Sequence, residues 1–248
     1  MVTKNLYQTF TEAITLKKKL LAILVDPDRF RVEQAAEFLR SIPLETTHIF
    51  VGGSTVPKGL TEVLVNALKL YTSRPILIFP GDYSQITDAA DGLLFLSLFS
   101  GRNPEYLIGQ QVQAVSSLRS TSLEVISTGY LLIDGGIESS VAHVTKTSAM
   151  PQDNVQQIVD TAKAGALLGM KLMYLEAGSG ARTPVAANII SEVKKVVDIS
   201  LQLSILGSMK RTYNKNGFGS TATSISIKET ILTASAVVPT RALYPLAV

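Results

Sequence analysis

A chain of 248 residues that is 46% hydrophobic is long enough to bury a sizeable core and too apolar for disorder. The absence of cysteine removes disulfides, thiolate nucleophiles and Cys-type zinc sites, and the two histidines, His48 and His143, adjoin no other cluster of ligand-type residues. The net charge of +3 comes from scattered basic residues rather than a patch interleaved with aromatics, so nucleic acid is not expected as a partner.

Short apolar runs recur along the chain, at 21–25 (LAILV), 48–51 (HIFV), 76–79 (ILIF), 93–96 (LLFL), 125–133 (VISTGYLLI) and 172–176 (LMYLE). Weaker ones follow at 201–206 (LQLSIL) and 223–227 (TSISI). They do not alternate, which suits strands of a parallel sheet buried on both faces. Helical patterns lie between them. RVEQAAEFLRSI, 31–42, puts Val32, Ala35, Ala36 and Leu39 on one face, and VQQIVDTAKAGALLG, 155–169, repeats the device before the sixth run. Six to eight strands alternating with helices over this length predict a (β/α)8 TIM barrel, an α/β fold, in one domain spanning residues 1–248. No G-x-G-x-x-G follows the first strand, which weighs against a dinucleotide fold. No run approaches the roughly 18 apolar residues that span a bilayer, and MVTKNLYQTF at the N-terminus lacks a signal-peptide core. A soluble, cytoplasmic protein is expected.

In such a barrel the chemistry sits where the strands end. The first strand is followed by Asp26-Pro27-Asp28-Arg29, the second by Gly52-Gly53-Ser54-Thr55, the third by Pro80-Gly81-Asp82-Tyr83, and the sixth ends in Glu176 before Gly178-Ser179-Gly180. Asp26 and Asp28 are hard oxygen ligands suited to Mg²⁺, and Ser54 can add a hydroxyl. Gly-rich turns leave backbone N–H groups free for phosphate oxygens. Each feature also has a plain structural reading: Asp-Pro-Asp as a capped turn, Gly-Gly-Ser-Thr as a helix cap, Gly-Ser-Gly as a loop. Glu176 is harder to explain that way, because an unpaired carboxylate at the end of a buried strand is costly. It is the expected general base for a substrate hydroxyl, set between two phosphate-binding sites.

Taken together, LVDPDR, VGGSTV, IFPGDYSQITDAADGLLFLSLFSGRNPEYLIGQ, STGYLLIDGG and YLEAGSGA are similar to the geranylgeranylglyceryl phosphate synthase family. The resemblance is to its longer form, found in some bacteria and archaea, related to but distinct from the heptaprenylglyceryl phosphate synthases, and runs from about Leu20 to Ile199. It implies a TIM barrel that joins geranylgeranyl diphosphate to the 3-hydroxyl of sn-glycerol 1-phosphate with Mg²⁺, assembled as a homo-oligomer, a dimer or hexamer. Asp26 and Ser54 would ligate Mg²⁺. Tyr174, Leu175, Glu176, Ala177, Gly178, Ser179 and Gly180 would form the glycerol-phosphate loop, with Tyr174 and Glu176 as the catalytic pair. The apolar segment 93–99 is a candidate lining for the prenyl channel.

Beyond Ile199 the resemblance stops. The family's Gly-Gly-Gly-Ile loop is replaced by Ile205-Leu206-Gly207-Ser208-Met209-Lys210, no Gly-Asn follows, and Ser and Thr fill 13 of the last 49 positions. Residues 200–248 carry five Lys or Arg and one acid, against 18 and 19 before them. Either the tail has diverged, with Gly207 and Ser208 supplying substitute N–H donors, or its reading frame is disrupted near Ser200. Two other functions compete: a TIM-barrel phosphosugar isomerase or aldolase, and a degenerate, non-catalytic phosphate-binding barrel.

Overall fold

The computed structural model describes residues 5–178 and 180–197, together with the backbone of two strands at 200–204 and 231–235. Eight parallel strands close into a barrel in sequential order: β1 (Leu20–Val25), β2 (Thr46–Val51), β3 (Ile76–Ile78), β4 (Gly92–Leu98), β5 (Glu124–Leu132), β6 (Leu172–Glu176), β7 (Ser200–Ser204) and β8 (Ile231–Ser235). The first seven fall on the runs marked by hydrophobicity. The eighth does not. The pattern predicts it at 223–227, outside the described residues, whereas closure requires a segment in register with both neighbours. Ile231–Ser235 meets that condition, pairing Leu20↔Ile231 with β1 and Gln202↔Ile231 with β7.

Seven helices are described: α1 (Leu6–Thr15), α2 (Ala35–Ser41), α3 (Leu60–Lys69), α4 (Gln110–Leu118), α5 (Ser140–Thr145), α6 (Val155–Leu167) and α7 (Ala187–Val196). The helix expected over 31–42 is divided, a 3₁₀ turn at Val32–Gln34 preceding α2. Between β3 and β4 the expected alternation fails: only a 3₁₀ turn at Tyr83–Gln85 joins them. The outer face of β4 is thereby left to the loop and to α4, and this is where the cavity described below runs.

Alternation along each strand divides the core in two. Ile126, Tyr130 and Leu132 of β5 point into the barrel, as do Leu172 and Tyr174 of β6, whereas Leu131, Met173 and Leu175 pack outward against α6 and α7. At the N-terminal end of the barrel α1 acts as a stopper. Its Leu6 and Phe10 join the inner cluster of Ala22, Phe50, Leu77 and Leu94. The Phe10 ring lies 5.0 Å from that of His48, which is buried with its pKa lowered to about 4 by desolvation. The carboxylate of Glu124, at the start of β5, accepts the N–H groups of Leu6 and Tyr7, two of the donors a helix start leaves unpaired.

Glu124→Ala should therefore loosen the stopper at a cost of about 1–2 kcal/mol in denaturant unfolding. The same substitution should leave chemistry at the opposite end of the barrel intact at temperatures where the variant is folded. An unchanged unfolding midpoint would contradict the capping role.

Candidate active site

An apolar cavity opens at the C-terminal ends of the strands and extends outward over β4. Its floor and walls include Leu24 and Phe79 and, from the segment 93–99, Leu93, Phe95, Leu96 and Leu98. Tyr106, Gln111 and Ala114, from the π-helical turn at Glu105–Gly109 and from α4, form the far wall. At the barrel end the lining turns polar: Asp26 and Arg29 after β1, Ser54 after β2, Asp82 after β3, and Glu176 at the end of β6.

Glu176 is 4% exposed. On an otherwise apolar strand, its side chain takes the inward position two residues beyond Tyr174, as the period of two requires. Tyr130 Oη donates a hydrogen bond of 2.7 Å to Glu176 Oε2. Register explains the meeting: Tyr130 pairs with Tyr174 and Leu132 with Glu176, so the phenol reaches up one pleat to the carboxylate. Its ring stacks on that of Tyr174 at 5.3 Å and 21°, and Phe79 closes the group at 4.9 Å from Tyr174. Burial pushes the Glu176 carboxyl from 4.5 up to about 7, against the opposing pull of hydrogen bonds from Tyr130 and Tyr174. A carboxylate so placed accepts a proton readily near neutral pH, which an ordinary surface glutamate does not.

The β1 and β2 ends form a second polar group. Asp26 Oδ1 accepts the N–H of Asp28 at 3.1 Å as the cap of a 3₁₀ turn, and Arg29 Nε lies 3.6 Å from Oδ2. Desolvation raises the pKa of Asp26. The carboxylate rests directly against Gly53, where a Cβ would come within 2.5 Å of Oδ1, so only glycine allows the β2 turn and Asp26 to lie so close. Gln85 Nε2 donates to the Gly53 carbonyl at 2.9 Å and fixes that turn. One carboxylate beside one hydroxyl suits Mg²⁺, which keeps several waters and relies on substrate phosphates. An all-protein cage is not present: among the described residues no three His, Cys, Asp or Glu are grouped to hold a metal ion. Asp28, expected beside Asp26, is exposed and does not line the cavity.

The remaining expected residues are placed less directly. Tyr174 lies in the inner aromatic layer beneath Glu176. Leu175 and Ala177 are buried on the outer side of β6, among residues of α6 and α7, so only their backbones are available to a ligand. Gly178 adopts φ +93° and its added Cβ would meet Ser139 Cβ at 2.5 Å, a position closed to other residues on both counts. The loop is tied to the β5 end by Arg182 N–H donating to the Gly135 carbonyl at 2.8 Å. Ser179, Gly207 and Ser208 lie outside the described residues. Two contributors were not singled out from the sequence, Tyr130 and Phe79. A signal for the first was present: a tyrosine inside a doubly buried strand must find a partner for its hydroxyl.

A family model described as PcrB family matches residues 13–214. The chain belongs to the PcrB family. The match continues beyond Ile199, where the motif resemblance stops. Curated relatives named geranylgeranylglyceryl phosphate synthase include one from Zunongwangia profunda, 50% identical over 80% of this chain and 84% of its own. Another, from Pyrococcus furiosus, is 36% identical over 75% of this chain and 74% of its own. Among solved structures, the synthase of Thermoplasma acidophilum in complex with sn-glycerol-1-phosphate superposes with a TM-score of 0.76 at 26% identity, over 93% of this chain and 90% of that one. The Thermoplasma volcanium enzyme gives 0.73 at 29%, over 81% and 80%.

The raised pKa of Glu176 carries a stability consequence. Between 4.5 and about 7 the folded chain holds a proton that the unfolded chain has lost, so its contribution is full below 4.5 and fades as pH rises through 7. Glu176→Gln removes the ionisation and should stabilise the fold by about 3 kcal/mol at pH 8, and hardly at all at pH 4. Denaturant unfolding at the two pH values checks this; equal effects at both would contradict a buried, proton-hungry carboxylate.

Proposed function

We propose that this PcrB-family chain is a prenyltransferase that joins geranylgeranyl diphosphate to the 3-hydroxyl of sn-glycerol 1-phosphate. The products are geranylgeranylglyceryl phosphate and diphosphate. The observation that carries the reading is a buried carboxylate with its pKa raised to about 7, standing where a polar barrel mouth meets a long apolar cavity. An apolar tail fits the cavity over β4, and the relatives' shared name gives the reaction class.

The chain's own residues divide the work. Leu93, Phe95 and Leu96 would hold the prenyl tail and keep water from the reacting carbon. Asp26 and Ser54 would hold Mg²⁺, which would neutralise the charge that collects on the diphosphate as it leaves. As C1 of the prenyl group parts from the diphosphate oxygen, with the bonding electrons leaving on that oxygen, the 3-hydroxyl attacks C1. Glu176 takes the hydroxyl proton.

Of the competing readings, an aldolase acting through a Schiff base finds no amine among the described residues of the cavity. Lys171 lies at the other end of the barrel, its Nζ 5.3 Å over the Tyr7 ring of α1, and among the described residues lining the cavity there is no lysine. Incubation with radiolabelled sn-glycerol 1-phosphate, geranylgeranyl diphosphate and Mg²⁺ should give a solvent-extractable labelled lipid, and a chelator should abolish it. Glu176→Gln should lower turnover by about a hundredfold or more with diphosphate affinity little changed. Binding of both substrates without product would instead favour a non-catalytic barrel.

A further inference from the structure

On the reading of Glu176 as the base, we propose that Tyr130 is its positioning residue. Its phenol O–H anchors Oε2 and so holds the carboxylate in the orientation and ionisation state that accept the substrate proton.

The geometry supports a fixed donor rather than a passing contact. Tyr130 is 4% exposed, lines the cavity, and packs against the rings of both Tyr174 and Phe79, the latter at 6.1 Å. Its hydroxyl therefore has little freedom to turn elsewhere. A buried tyrosine and a buried glutamate each lose water on folding, and the 2.7 Å bond returns a partner to both. The titratable groups acting on Glu176 among the described residues are Tyr130 from β5 and Tyr174 from β6. Asp26, Arg29 and Asp82 share the cavity from the ends of β1 and β3.

The proton accounting has one direction. Desolvation and the neighbouring carboxylate push the Tyr130 phenol well above 10, so it stays a donor throughout the working range and never gives its proton away. A carboxylate offers about four lone-pair sites, so the Tyr130 donor leaves room for a substrate hydroxyl. When the new C–O bond forms, the hydroxyl proton passes to Glu176 and the phenol remains as it was. A hydrogen bond to the ionised carboxylate favours that form, so the phenol offsets part of the burial cost that would otherwise leave Glu176 protonated and inert.

The test compares wild type, Tyr130→Phe and a variant carrying 3-fluorotyrosine at position 130. Each is checked for an intact fold by thermal unfolding, and kcat and KM for both substrates are followed against pH. Tyr130→Phe should move the acid limb of kcat/KM upward by about one pH unit and lower kcat about tenfold or more at pH 7. KM for the prenyl diphosphate should stay within about twofold, and part of the rate should return at higher pH. 3-Fluorotyrosine, a stronger donor of the same shape, should move the limb the other way. A loss of rate uniform across pH, or a limb unmoved in the fluorotyrosine variant, overturns the proposal and leaves Tyr130 a packing residue. A wild type without turnover overturns the base assignment itself, a result distinguishable from an active wild type whose limb ignores residue 130.

Discussion

Burying a carboxylate at the mouth of a closed barrel is the constraint on which the rest of this structure turns. Glu176 ends a strand whose other four side chains are buried and otherwise apolar or aromatic, and it is itself 4% exposed. An isolated charge there would simply stay protonated. The surrounding tyrosines moderate that outcome without abolishing it, and the result is a group poised near neutral pH. Such perturbation is common at functional sites, and here it coincides with a cavity.

The fold supplies what this group needs from both ends. Parallel register places Tyr130 beside Tyr174 and brings its hydroxyl to the carboxylate, so the site is built on strands rather than on loops. At the other end α1 closes the barrel with Leu6 and Phe10. The missing helix between β3 and β4 gives the cavity its direction, outward over Leu93 and Phe95 toward α4. A polar mouth joined to an apolar corridor is what the proposed substrate, a charged diphosphate on a hydrocarbon tail, would require. Among the described residues no helix is long and apolar enough to cross a membrane.

Much of this was legible in the sequence for a physical reason: strands buried on both faces must be continuously apolar, so a polar residue at their ends stands out. Asp26, Ser54 and Glu176 were found that way, and all three line one cavity. Asp28 was over-read because residue type says nothing about direction; the 3₁₀ turn that Asp26 caps sends it to solvent. Leu175 and Ala177 belong to the loop by sequence order, yet alternation turns their side chains away. Tyr130 was passed over because an aromatic in an apolar run looks like core, and only register between two strands reveals its partner. The stopper helix was passed over although Leu6, Phe10 and Ala13 form an apolar stripe at i, i+4 and i+7 before Leu20, and β8 was missed because closure, not local hydrophobicity, selects it.

The most direct test of the central claim is a crystal structure of the chain with sn-glycerol 1-phosphate bound. The account predicts the 3-hydroxyl within about 2.6–3.2 Å of a Glu176 carboxylate oxygen, with Tyr130 still on Oε2 and the phosphate directed away from the carboxylate. A ligand whose 3-hydroxyl points elsewhere, with Glu176 meeting only protein groups, would contradict it.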